Sequence, residues 1–345
     1  MKLRTALQSA VLAAAALLSL TGPAHAQHAG YRTLTIAGDT PATVALFYPT
    51  AVADRAVSMG PWLPVVAPGA PASDTPLKGL ILISHGTGGT ELNHHNLATR
   101  LARDGYLVAA VRHAGDNWQD RSLIASGRYF SERPLQLSRV LDALLASPEW
   151  GARIPTARIG AVGHSAGGYS VLALAGAQAE SRRSVQHCRT VQDDPGYCAL
   201  AKGAAGTGAS AMQAPAAASA AASDARPVSV PDRRIRAVVV MAPMAVVFTP
   251  ESLAAITVPV RVIMAEQDAV LSGKYHGGHV VASLPSAQAS TVAGAGHFAF
   301  MAQPTFALPS AAGDAAANPP GFDRVTFLPT LESQVAEFFA EQWRR

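Results

Sequence analysis

Three observations predict an α/β fold, with a mostly parallel sheet and helices on both faces. From Gly79 onward, apolar runs of four to seven residues alternate with helical stretches. The runs are continuously apolar, as strands buried on both faces are. Glycine-containing loops follow the runs that end at Ser84, Val162 and Val292, where chemistry collects in such sheets.

The elements follow in chain order. Lys2 and Arg4, an apolar stretch from Ala10 to Leu20 and an Ala24-His25-Ala26 cleavage site make residues 1–26 read as an export signal. That stretch falls short of the roughly 20 apolar residues a membrane span needs. The expected product is a periplasmic or secreted protein with no transmembrane anchor. Two alternating segments, Tyr31–Ile36 and Thr43–Tyr48, read as antiparallel strands. A loop rich in Pro, Gly and Ala runs from about Thr50 to Pro76.

Gly79–Ser84 is a buried strand, Glu91–Arg103 a helix, and Tyr106–Val111 a second strand. Pro134–Leu145 is helical, with Leu137, Leu141, Leu144 and Leu145 forming its stripe. Strand Arg158–Val162 and a helix from Ala166 to about Ala177 follow. Strands at Arg236–Met241, Val260–Ala265 and Ala289–Val292 and a helix carrying Leu331, Val335, Phe338 and Phe339 complete the pattern. An insertion at about 181–234 interrupts it. The middle of this insertion, Gly203 to Ala225, is Ala/Ser/Gly-rich and is expected to be poorly ordered. One domain, residues 27–345, is expected.

Composition excludes little else. Lys and Arg number 27 and Asp and Glu 23, a formal charge of +4. The basic residues are scattered, so nucleic-acid binding is not expected. The two cysteines, Cys188 and Cys198, become natural disulfide partners in an exported chain. A bridge over so short a loop stabilises by roughly 2–3 kcal/mol.

The strongest chemical signal is Gly163-His164-Ser165-Ala166-Gly167, placed between a strand and a helix. That context lifts a serine above the sheet edge on a tight turn, where only small neighbours fit. A hydroxyl needs a base, and the base needs an orienting carboxylate. Asp268 lies three residues past the strand Val260–Ala265, with Glu266 as its rival. His297, in Gly294-Ala295-Gly296-His297-Phe298, is the candidate base. His276 and His279 form a His-x-x-His pair without a third ligand, so no metal or other cofactor is expected. His94, His95, His113 and His164 read as structural or solvent-facing. In Ser84-His85-Gly86-Thr87-Gly88-Gly89-Thr90 the Thr87 N–H, with that of Ala166, is placed to face a developing oxyanion.

These motifs, in this order, resemble the α/β-hydrolase superfamily. Within it the chain resembles an exported branch of predicted dienelactone hydrolases related to platelet-activating-factor acetylhydrolase-like enzymes. The similarity runs from about Tyr31 to Trp343 and includes Tyr48-Pro49 and the cysteine pair. It implies a serine carboxylic-ester hydrolase acting through an acyl-enzyme on Ser165, on a small-molecule or lipid-like ester, with a short-acyl phospholipase, a serine peptidase on the same fold and a non-catalytic binding protein as the alternatives. Dienelactone hydrolases proper carry a cysteine nucleophile, so Ser165 separates this chain from their substrate. Two segments are candidates to roof the pocket: the cysteine-bearing insertion and Met244–Ile256, the latter equally readable as core.

Overall fold

The computed structural model describes residues 28–37, 41–124, 126, 128–201 and 227–344. Residues 1–26 and the stretch Gly203–Ala225 lie outside these. Four strands open the described chain: β1 (His28–Ile36), β2 (Ala42–Thr50), β3 (Arg55–Ala56) and β4 (Val65–Pro68). The later strands are β5 (Leu80–Ser84), β6 (Leu107–Arg112), β7 (Ile159–His164), β8 (Ala237–Met241), β9 (Val260–Ala265) and β10 (Gln288–Val292). They form one sheet in the order β10-β9-β8-β7-β5-β6-β2-β1-β4-β3. From β10 to β6 every pairing is parallel, and β2 joins β6 antiparallel.

The apolar runs behave as predicted. All five residues of β5 are buried, and its side chains alternate between two cores. Leu80 and Leu82 enter one core, and Ile81 and Ile83 the other. The first core packs under α2 (Tyr129–Ala146) and α3 (Ala166–Leu174). The second packs under α1 (His95–Arg103) and α8 (Arg324–Gln342), where Leu331, Phe338 and Phe339 meet Leu97 and Leu101. Burying such a side chain contributes about 1.5–3 kcal/mol, so these stripes determine which face each helix presents.

Three elements differ from expectation. The 50–76 loop contains β3 and β4, and β4 pairs parallel with β1. Helix α2 begins at Tyr129, a turn and a half before Pro134. Pro134 lacks the N–H that would bond the Phe130 carbonyl, and the Tyr169 hydroxyl donates to that carbonyl instead at 2.7 Å. The described part of the insertion forms α4 (Ser181–Thr190) and α5 (Pro195–Ala201), stapled by a Cys188–Cys198 disulfide with Cα atoms 5.4 Å apart. Short helices α6 (Pro250–Ala254) and α7 (Gly277–Ser283) complete the α set. Among the described residues no helix is long and apolar enough to cross a membrane.

Candidate active site

The chain reverses its direction of travel across the sheet at β5, which lies between β6 and β7. A crevice opens at the carboxyl ends of strands at such a point. Ser84 pairs with Gly163 across β5 and β7, and Ala265 with Val292 across β9 and β10. The loops bearing Thr87, Ser165, Asp268 and His297 therefore leave the same edge of the sheet.

Ser165 has φ +56° and ψ −120°, one of two non-glycine residues with positive φ among the described residues. Strain of this kind costs on the order of 1–3 kcal/mol and persists only where surroundings enforce it. Here the Ser165 N–H donates to Met241 O at 3.0 Å, and Ser165 O accepts from Met244 N at 3.0 Å. The flanking glycines are sterically required. A Cβ on Gly163 would stand 2.1 Å from Gly167 O, and one on Gly167 would stand 1.9 Å from Ser84 O. Gly167→Ala is expected to destabilise the protein by several kcal/mol, because the clash is with backbone. Urea denaturation measures this, and a midpoint equal to wild type would overturn the steric account.

His297 begins a 3-10 turn after β10, and its Nδ1 lies 2.8 Å from Asp268 Oδ2. Asp268 Oδ1 accepts the N–H groups of Val270 and Leu271 at 2.9 and 2.8 Å, which fixes the carboxylate. With Nδ1 committed to Asp268, His297 lines the same cavity as Ser165, and no partner of its Nε2 is found among the described residues. Glu266, the rival carboxylate, instead accepts the Gly294 N–H at 2.7 Å. Thr87 lines the cavity too, and its N–H has no acceptor among the described residues. Ala166 opens α3, so its N–H has no partner within that helix. The helix dipole adds partial positive charge there.

The other histidines hold the frame. The buried His164 ring donates from Nε2 to the His297 carbonyl at 2.9 Å, and His94 Nδ1 lies 3.0 Å from the Phe300 carbonyl. Both contacts secure the turn that carries His297. Burial holds His164 well below the usual imidazole range. His276 and His279 do not form a joint site. His276 Nε2 lies 3.1 Å from Asp194, and His279 Nε2 lies 3.0 Å from the Phe248 carbonyl. Asp194 belongs to the disulfide-closed loop and also accepts the Ser272 N–H at 3.0 Å. The described part of the insertion therefore braces the loop after Asp268, and none of its residues lines the cavity.

Met244–Ile256 is not a roof either. Met244, Val246, Val247 and Phe248 are buried in the core, with Phe248 stacked on Tyr169 at 5.0 Å. The cavity, of about 670 Å³, is walled instead by Met59 and Trp62, by Trp118, and by Met301, Phe306 and Leu308. Trp118 and Phe306 stand 60% and 56% exposed at its rim. Sequence reading missed these walls because they come from loops without a periodic signal.

Buried histidines also give the fold a pH dependence. Burial lowers His94 to about 4, and burial and the nearby His94 lower His95 to about 4. The unfolded chain takes up these protons below about pH 6.5, whereas the folded chain does so only near 4. Stability is therefore fully present above pH 6.5 and falls as pH drops toward 4, by up to roughly 3 kcal/mol per group. The urea midpoint is expected to fall across that window, with a shallower slope for His95→Phe. A midpoint flat from pH 6.5 to 4.5 contradicts the burial argument.

The sheet order, the strained serine turn and the order of the loops define the α/β-hydrolase fold. The sequence matches no protein-family profile and no curated protein. Among solved structures, the chain is similar to a ferulic acid esterase from Streptomyces cinnamoneus at 20% identity and a TM-score of 0.59. That match covers 93% of this chain and 92% of the esterase. It is also similar to a dienelactone hydrolase from Anabaena variabilis at 13% identity and a TM-score of 0.48, covering 91% and 98% of the two chains.

Proposed function

We propose that the protein is an exported serine hydrolase of carboxylic esters. The observation that carries this reading is a strained serine sharing one apolar cavity with a histidine that is bonded to a buried carboxylate. Ser165 Oγ attacks the ester carbonyl carbon while His297 Nε2 takes the hydroxyl proton. Asp268 holds His297 Nδ1–H, so the lone pair faces the serine. The tetrahedral oxyanion is met by the N–H groups of Thr87 and Ala166. Collapse breaks the C–O bond to the alcohol, which leaves with the proton from His297. Water then repeats the path on the acyl-enzyme and restores Ser165.

The aromatic and aliphatic walls favour an apolar acyl or alcohol group, and about 670 Å³ suits a small ester. The disulfide is compatible with a periplasmic or secreted setting. The test is hydrolysis of p-nitrophenyl esters from acetate to palmitate by the mature chain, alongside Ser165→Ala. Turnover that falls with chain length and vanishes in the variant is expected. Folded wild-type protein that cleaves none of them, and whose Ser165 resists an organophosphate label, would overturn the reading.

A further inference from the structure

The loop that carries Thr87 is held by a buried polar network. Asp116 and Arg133 are both fully buried and ion-paired. Asp116 Oδ1 accepts the Gly88 N–H at 2.8 Å, immediately after Thr87. Arg133 donates to the His85 carbonyl through Nη2, two residues before Thr87, and to Ser170 Oγ at 3.1 Å. His85 Nε2 accepts the His113 N–H at 3.1 Å, so its proton sits on Nδ1 and donates to the Gly86 carbonyl at 2.6 Å. The Tyr129 hydroxyl bonds Thr87 Oγ1 at 2.7 Å.

Each group around the Thr87 amide is thus committed. The two preceding carbonyls are bound from behind, the following N–H is tied to Asp116, and the side chain is tied to Tyr129. The Thr87 N–H is left without an acceptor among the described residues, on the cavity wall. Preorganisation of this kind gives a donor its catalytic worth, since it need not reorient as charge develops.

We propose that the Asp116–Arg133 pair is a positioning device that presets the Thr87 N–H as an oxyanion donor. This rests on the ester-hydrolase reading of the site. A buried ion pair is weak evidence for stability, because apolar residues of similar volume often replace one without loss. That distinction supplies the experiment. Removing one partner strands a buried charge, whereas the double variant Asp116→Leu with Arg133→Met removes both. Asp116→Asn keeps the shape and the acceptor for Gly88 but leaves the Arg133 charge without its carboxylate.

Three quantities are read on each folded variant: kcat and KM for p-nitrophenyl butyrate, the Ki of a trifluoromethyl ketone, and the pH profile of kcat/KM. The ketone adds Ser165 Oγ to its carbonyl carbon and places an oxyanion where the transition state has one. The double variant is expected to lose about 10²–10³ in kcat, the range for one oxyanion donor, with KM within about threefold. The ketone Ki rises by a similar factor, and the pH midpoints stay in place. Asp116→Asn is expected to lose less than the double variant.

A folded double variant with wild-type kcat overturns the proposal. So does a kcat loss that tracks a shifted pH midpoint, which would place the effect on His297. Failure of both the double variant and Asp116→Asn to fold assigns the pair to folding alone and also overturns it. Failure of the ester-hydrolase reading looks different: wild type itself is inactive and Ser165 goes unlabelled.

Discussion

Ser165→Ala is expected to lower ester turnover by about 10⁴–10⁶-fold while the protein remains folded. Alanine removes the Ser165 hydroxyl and nothing else from a position whose backbone is held at φ +56° by Met241 O and Met244 N. The backbone strain stays, so thermal stability should remain close to wild type. Ser165→Gly separates the two roles further. Glycine accepts positive φ without penalty, and this variant should be as inactive as alanine yet melt higher, by roughly 1 kcal/mol of stability. Turnover and melting are measured on the same preparations. An alanine variant within tenfold of wild-type kcat would remove Ser165 from the mechanism. A glycine variant less stable than alanine would show that the turn is not strained.

Asp268→Asn is expected to cost about 10⁴-fold in kcat, with KM little changed. The wild-type carboxylate accepts from His297 Nδ1 at 2.8 Å and is fixed by two backbone N–H groups at its other oxygen. Those two donors bias the asparagine oxygen toward them and its NH₂ toward the imidazole. His297 then accepts at Nδ1 and carries its proton on Nε2, facing the serine, where it can no longer act as a base. Glu266→Gln is the matched control. It removes the other carboxylate of the loop, which only caps the Gly294 N–H, and should leave kcat within about twofold. Equal losses from the two variants would contradict the assignment of Asp268.

How far the sequence reveals this site depends on the range of each interaction. The elbow around Ser165 is local, and its requirement for small residues follows from contacts within five positions and from Ser84 O. Asp268 follows a largely apolar strand and His297 lies in a glycine-flanked loop after the short strand β10, so strand order places them. The brace is different. Arg133 lies one turn before Leu137 on the apolar stripe of α2, and a charge on such a stripe is the one sequence signal it leaves. Its partner, Asp116, is 17 residues away in a loop, and no periodicity connects them. The cavity walls are further still from any rule, because Met59, Trp118 and Phe306 meet only through the tertiary path of three loops. The 50–76 segment hid its strands for a related reason, since β3 and β4 are two and four residues long.

The proposed reacting groups follow the carboxyl ends of β7, β9 and the edge strand β10, while Met59 and Trp118 come from loops that carry none of them and Phe306 from the segment that continues past His297. The molecule therefore separates a tool from its handle. Changes around Met59 or Trp118 are expected to alter what is gripped, and the proposed serine, base and carboxylate need not move. A lineage built this way explores new substrates by exchanging loops, at little risk to the chemistry beneath them.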